Sequence, residues 1–343
     1  MEICWGFIGA GNVTTVRASP VEAFTQAGSR VVAVCRSHRA LAEDYARSNG
    51  VAKAYTDVEQ LCADPEVNAV YICTPHHLHR DHAMAALRAG KHVLCEKPLA
   101  NSTEECKAMV QEARRAAVFL GVAYYRRFYP VIEALRQVLI SGRLGRLTSA
   151  QVVKHDYFVP PRDKAISDGR TQWRTTLALA GGGTLNEAGC HRLDLLLYLL
   201  GDARSVSAEL ARFEAWYEGE DQASVTIRFA NEVIAQVDHS WCNRSNRDFF
   251  AVAGTDGQVV IENLEENQLI LQIGRETKVV EVAPRPQATH RAVVADFVQA
   301  LNDGGNLRCP GEDGLRATQL IELAYRAARE RRTVDVPSLV LSE

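Results

Sequence analysis

Ile3-Cys4-Trp5-Gly6-Phe7-Ile8 is a short apolar run that stops at Gly9-Ala10-Gly11. An uninterrupted run of this length reads as a buried strand. A glycine turn at its end lets backbone N–H groups approach a dinucleotide pyrophosphate with no side chain in the way. Gly9 and Gly11 supply that bareness, Asn12 and Val13 continue the turn, and Thr14 stands where a third small residue would complete the fingerprint. An ordinary tight turn is the other reading of Gly-x-Gly. Ser19-Pro20-Val21-Glu22 has the order of N-cap, N1 proline and capping-box glutamate, so the first main helix is expected to begin at Pro20.

Outward from that turn the chain alternates. Arg30–Cys35, Ala52–Tyr55, Val67–Cys73, Lys91–Cys95 and Phe119–Val122 read as strands, with helical patterns over His38–Ser48, Leu78–Ala89 and Thr103–Ala116 between them. Gly50 and Gly90 stand where left-handed C-caps belong, and Ser102 with Glu105 forms a capping box. Strands alternating with helices imply βαβ units and a parallel sheet. After Tyr124 the texture changes. A helix is expected over Tyr129–Ser141, a half-wet strand over Leu147–Phe158, and a long apolar helix, Leu185–Leu200, after Gly181-Gly182-Gly183. Strand patterns then follow in succession over Ser205–Phe213, Ala223–Phe229, Val233–Trp241, Phe249–Ala253, Gln258–Ile261 and Leu269–Ile273, which suggests antiparallel pairing. Helices near His290–Asn302 and Gly314–Arg332 close the chain.

The 343 residues suffice for two domains, and 47% hydrophobic with 24% charged residues is an ordinary globular balance. A formal net charge of -3 without a long Lys/Arg run argues against nucleic acid or a membrane surface as partner. Nine cysteines at irregular spacing, none in a Cys-x-x-Cys pair, point to a reduced cytoplasmic location rather than a disulfide framework. The chain shows neither a signal-peptide pattern nor an apolar stretch long enough to span a bilayer.

Several residues carry chemistry in this frame. The second strand ends Cys35-Arg36-Ser37-His38, with no acid to accept from a ribose 2′-hydroxyl. Arg36 pairs with a 2′-phosphate, favouring NADP over NAD, or is a solvated surface arginine. Glu96-Lys97-Pro98 ends a strand at the sheet edge where ligands bind. Lys97 there is suited to hydrogen-bond a reacting oxygen, or is a surface lysine. Glu187, His191 and Asp194, spaced by four and three, fall on one face of an α-helix. A carboxylate that orients a histidine makes a general base, whereas the bland alternative is a satisfied polar face. A metal is not expected, because no further His/Asp cluster lies nearby in sequence. Thr74-Pro75 with His76, His77 and His79, then Tyr125-Arg126-Arg127 and Trp173-Arg174, are further candidates for touching cofactor or substrate.

Together these segments resemble the Gfo/Idh/MocA family (glucose–fructose oxidoreductase, inositol dehydrogenase, rhizopine catabolism) over nearly the whole chain. The carriers are Gly9-Ala10-Gly11, Thr74-Pro75 with His79, Gly90 through Pro98, Tyr125 through Phe128, Trp173-Arg174, and Gly181 through Asp194. The resemblance implies an α/β Rossmann domain, taken as residues 1–123. It implies an α+β domain with an open, mainly antiparallel sheet, taken as 124–343, for substrate binding and oligomerisation as a dimer or tetramer. It further implies NAD or NADP and hydride transfer to or from a sugar, cyclitol or related polyol. Lys97 matches the family's active-site lysine and His191 its catalytic histidine, while Glu187 falls where aspartate is usual and Arg17 where histidine is common. Other outcomes are a family glycosidase that uses transient oxidation, and a nucleotide-sensing regulator without turnover.

Overall fold

The computed structural model describes residues 2–11, 20–158, 172–214 and 216–339. They form two compact units. The first takes the described residues up to Tyr125 together with Pro286–Thr318; the second takes Arg126–Arg285 and Gln319–Leu339. The expectation of one crossing after residue 123 does not contain this return of Pro286–Thr318 to the first unit.

In the first unit, strands β1 (Cys4–Ile8), β2 (Arg30–Cys35), β3 (Lys53–Tyr55), β4 (Ala69–Ile72), β5 (His92–Cys95) and β6 (Leu120–Val122) form one sheet in the order β3-β2-β1-β4-β5-β6. Every pairing in it is parallel. β1 and β4 are buried at every residue, as expected of parallel strands covered on both faces. The connecting helices are α1 (Pro20–Gln26), α2 (Arg39–Asn49), α3 (Val58–Ala63), α4 (His79–Arg88) and α5 (Thr103–Arg115). α1 begins at the proline, in line with its N1 reading. Ser102 accepts from the Glu105 N–H at 3.2 Å, while the Glu105 carboxylate reaches back to the Asn101 N–H at 3.1 Å.

Aromatic packing explains the return segment. Trp5 and Phe7 on β1 meet Phe24 of α1 edge-on, at 4.9 and 4.8 Å between ring centroids. Phe297, fully buried, then stacks on Trp5 at 5.3 Å and lies 6.4 Å from Phe119. At two turns, α1 is too short to cover this face.

The second unit begins with α6 (Pro130–Ile140) and builds a nine-stranded sheet from β7 (Leu147–Tyr157), β8 (Ala203–Ala211), β9 (Gln222–Phe229), β10 (Ile234–Ser240), β11 (Cys242–Gly254), β12 (Gly257–Ile261), β13 (Gln268–Ile273), β14 (Glu276–Glu281) and β15 (Val334–Asp335). The order is β14-β13-β12-β11-β7-β10-β9-β8-β15. Pairing is antiparallel except between β7 and β10, which run parallel, so the sheet is mainly antiparallel, as expected. β9 alternates strictly: Ala223, Val225, Ile227 and Phe229 are buried, and Ser224, Thr226 and Arg228 exposed. Three features escape the sequence reading. β11 starts at Cys242, ahead of the expected Phe249; its first half, Asn243 to Arg247, is polar and carries a register shift, which hides it from an apolar pattern. β14 is an edge strand of mainly exposed residues, and β15, at the other edge, is only two residues long, buried Val334 and exposed Asp335, so neither gives a strand-length apolar signal.

The apolar stretch predicted as one helix is two elements. Leu185–Gly189 is a π-helical turn, and α7 (Cys190–Leu200) is the α-helix proper. A one-turn helix, Leu177–Ala180, precedes the glycine triplet, α8 (Arg291–Asp303) and α9 (Gly311–Glu330) follow later in the chain, and no described helix is long and apolar enough to cross a membrane.

Candidate active site

The sheet order reverses between β1 and β4, the point at which doubly wound sheets bind ligands beyond their carboxyl strand ends. Gly9, Thr74 and Lys97 stand beyond the ends of β1, β4 and β5, three adjacent strands. Gly9 has φ 93°, and a Cβ there would meet Thr74 Cγ2 at 2.3 Å and its backbone N at 2.7 Å. The first glycine therefore serves close packing of two strand ends. At Gly11, among the described residues, an added Cβ would meet the Gly9 carbonyl at 3.3 Å, and the glycine itself puts no side chain there. That bareness fits a dinucleotide phosphate. Asn12 and Val13, named from sequence, lie outside the described residues, as do Thr14 and Arg17.

Glu96 is 5% exposed and wholly engaged within the unit. Its Oε1 accepts from Tyr71 Oη at 2.6 Å and from His290 Nε2 at 2.7 Å, and its Oε2 from the Lys97 N–H at 3.3 Å. Burial works to raise its pKa, but the charge and hydrogen bond of His290, the Tyr71 hydroxyl and Lys97 outweigh it and hold the carboxyl at about 2. Glu96 thus anchors the strand end from which half-buried Lys97 emerges. The Lys97-Pro98 peptide is cis.

His79 is fully buried, with its ring nitrogens 2.9 Å from the carbonyls of Pro98 and Thr74. It ties the Thr74 and Pro98 loops together, and burial pulls its pKa down to about 4. His76 is also buried, with its ring 5.6 Å from that of His79, so neither histidine starts a helix in solvent. Pro75 and His77 are half-buried. Half-buried Arg36 donates to the Leu41 carbonyl at 3.4 Å, and exposed Ser37 bonds the His38 ring at 2.9 Å.

In the second unit the structure gathers three of the predicted residues. The Arg174 guanidinium lies 5.0 Å over the Trp173 ring, and its Nε lies 3.4 Å from Glu187 Oε1. Glu187 falls inside the π-turn, where i→i+5 bonding widens the spiral. The sequence spacing assumed a regular α-helix throughout. His191 is buried in the first turn of α7 at 5% exposure. Asp194 pairs with Arg127, the two side chains being 1% and 2% exposed. Arg126 pairs with Glu265 at 3.1 Å, and Glu265 also holds Arg285 at 2.6 Å.

Gly182 and Gly183 are required by close packing, and Gly181 caps the preceding turn with φ 74°. A Cβ at Gly182 would meet Tyr325 Oη at 2.1 Å, and one at Gly183 the Glu220 carbonyl at 1.9 Å. The buried Glu220 carboxylate accepts from the N–H groups of Gly183 and Leu185, at 3.0 and 2.9 Å, and from Tyr325 Oη at 2.9 Å. Burial raises its pKa despite these bonds. Glu220, Tyr325, Asp248 and His290 were missed from sequence, since each acts on a partner far along the chain and none sits in a motif.

A Rossmann-type unit with a bare glycine turn and a strand-end lysine, joined to a sheet unit with a buried helix histidine, defines a nicotinamide-dependent oxidoreductase. Residues 3–124 match the NAD-binding Rossmann-fold model of the Gfo/Idh/MocA oxidoreductases, and residues 136–336 match that family's C-terminal alpha/beta domain. The chain belongs to this family. It is 32% identical to 1,5-anhydro-D-fructose reductase of Ensifer adhaerens over 315 residues, which span 91% of this chain and 92% of the relative. Aldose-aldose oxidoreductase from Caulobacter crescentus, solved with glycerol, superposes with TM-score 0.87 at 27% identity, covering 98% of this chain and 100% of that one. Levoglucosan dehydrogenase in complex with NADH and levoglucosan gives TM-score 0.88 at 25% identity, with the same coverage.

Proposed function

We propose that this enzyme oxidises or reduces a hydroxyl-bearing carbon of a sugar, cyclitol or related polyol. The observation that carries the reading is the placement of Lys97 beyond the β5 end, beside the strand ends bearing Gly9 and Thr74 at the point of order reversal. Relatives named for an anhydrosugar, an aldose and levoglucosan support the substrate class. Lys97 donates a hydrogen bond from Nζ to the reacting oxygen, and a ring nitrogen of His191 takes the hydroxyl proton in oxidation and returns it in reduction. When bound, the nicotinamide supplies the hydride acceptor or donor. Gly9 and Gly11 place no side chain between the turn and its phosphates, and Thr74, Pro75, Arg126, Trp173 and Arg174 are further cofactor contacts in this reading. Glu187 and Arg174 form a charge pair beside the Trp173 ring.

NADP(H) is the favoured cofactor, on the ground that Arg36 follows β2 with no acid beside it. The working form is a homodimer or homotetramer through the wet face of the second-unit sheet. That face exposes Ser224, Thr226, Ile234 and Gln236, and Ser224, Thr226 and Gln236 help line a hollow of about 590 Å³. A reducing cytoplasm suits nine free cysteines, eight of them buried.

The test is a panel of sugars and cyclitols assayed by nicotinamide absorbance with NAD(H) and NADP(H). Substrate-dependent reduction or oxidation of cofactor is expected. Release of an aglycone without net cofactor change would replace this reading with glycoside cleavage. In parallel, Arg36→Ala should weaken NADP(H) by roughly tenfold, the loss of about one charge-assisted bond, and leave NAD(H) unchanged. Equal parent affinities for the two cofactors would remove the NADP preference.

A further inference from the structure

α7 is buried around most of its circumference, largely by leucines: Leu193, Leu195, Leu196, Leu197 and Leu200. Near-identical apolar side chains on several faces leave a helix without a preferred rotation, because one leucine replaces another at small cost. Buried polar groups are the best attested device for removing such degeneracy. α7 carries two charged residues that are almost wholly buried, and both lie within three residues of His191.

Arg192 donates through Nη2 to both oxygens of Asp248 on β11, at 2.5 and 2.7 Å, and the two side chains are 2% and 4% exposed. Lys154 of β7 stands 3.8 Å from the same carboxylate. Asp194 receives Arg127 through Nε, at 3.0 and 3.2 Å, and through Nη2 at 2.5 Å. The Arg127 guanidinium also lies 4.5 Å over the ring of Tyr198, one turn along α7. At 3.6 residues per turn, Asp194 projects about 60° to one side of His191 and Arg192 about 100° to the other. The arc that holds the histidine is therefore bracketed by two attachments, to β11 on one side and to the turn at Tyr125–Phe128 on the other. Stability is a poor reason for keeping such pairs, because burying the charges costs about what their attraction returns.

We propose that Arg192–Asp248 and Arg127–Asp194 are positioning pairs for His191, fixing the rotation of α7 so that the ring is held in one orientation. The consequence for turnover rests on the catalytic role of His191 proposed above. None of the four side chains need touch substrate or cofactor.

The test replaces both partners of one pair with apolar residues of similar bulk, Arg192→Met with Asp248→Leu, so that no lone charge stays buried. Asp194→Asn, which keeps size and removes one charge, tests the other pair. The readouts are thermal unfolding, cofactor titration, single-turnover hydride transfer, and the ¹H–¹³C NMR signal of the His191 ring, assigned by its loss in His191→Ala. The expected result for the paired variant is cooperative unfolding near the parent temperature and unchanged cofactor affinity. Its ring signal should be shifted or doubled, and its transfer slower by roughly tenfold to a hundredfold, the cost of a small misplacement. A folded variant with the parent ring signal and rate would overturn the proposal. So would failure of both the paired variant and Asp194→Asn to fold, which would make the pairs structural. A displaced ring signal with an unchanged rate would uphold the positioning and overturn the catalytic reading of His191 instead.

Discussion

Lys97 and His191 both stand beside buried charge, yet they are held in different ways. Lys97 leaves a strand whose position is set by main-chain pairing to β4 and β6, and one carboxylate, Glu96, finishes the strand end through Tyr71 and His290. His191 lies on a helix with no main-chain strand pairing to fix it, and its surroundings are set by side chains: two Arg–Asp pairs, a carboxylate at the π-turn and glycines pressed against Glu220 and Tyr325. A strand end inherits its geometry from the backbone, whereas a buried helix acquires it from long-range polar contacts.

The widest separation between chemistry and scaffold is expected at the two residues themselves. His191→Ala should cut single-turnover hydride transfer by roughly a hundredfold or more, as loss of a general base does, and Lys97→Ala by as much. Both should keep cofactor affinity and thermal stability close to the parent. Near-normal transfer in His191→Ala would remove the helix side of the comparison.

Glu96→Gln sharpens the strand side. The new amide keeps the volume but sets an N–H₂ group among donors, so unfolding free energy at neutral pH should fall by about 1–3 kcal/mol. The effect depends on pH with a definite sign. The folded carboxyl is held at about 2, below the ordinary glutamate value of 4.5, so its contribution is fully present above 4.5 and is lost as pH falls toward 2. Denaturant titrations between pH 5 and 2 should show a steeper loss in the parent than in Glu96→Gln. Parallel curves would mean that Glu96 is not the buried anchor described.

The smallest effect belongs to a purely local device. Ser102→Ala removes the N-cap bond at the start of α5 and should cost about 1 kcal/mol, read by thermal unfolding, with transfer unchanged. A loss of activity there would blur the division between backbone-set and side-chain-set regions.

That division also explains what the sequence made legible. The β1 turn, the Pro20 helix start, the Ser102 cap and the Glu96-Lys97-Pro98 strand end are local patterns, and each has its counterpart in the structure. The partners of α7 are not local: Asp248 is 56 positions from Arg192, and His290 is 194 positions from Glu96. No spacing rule joins residues so far apart. The helix-face argument for Glu187, His191 and Asp194 assumed one regular spiral. The π-turn interrupts it and leaves Glu187 beside Arg174 and Asp194 beside Arg127.

The placement of Phe297 among Trp5, Phe24 and Phe119 has a consequence for the order of events during synthesis. The first aromatic shell leaves the ribosome early, but the ring that closes it is encoded about 170 residues after the sheet is complete, so at 5–20 residues per second the face waits about ten to thirty seconds. During that interval the newborn sheet presents Trp5 and Phe24 to solvent, and any holding factor that binds aromatic surface has its longest opportunity there. Ribosome-bound chains arrested before residue 290 should accordingly be cut by protease within the first 125 residues, and chains arrested beyond Thr318 should resist. The enzyme's vulnerable age is set by where a single phenylalanine sits in the message.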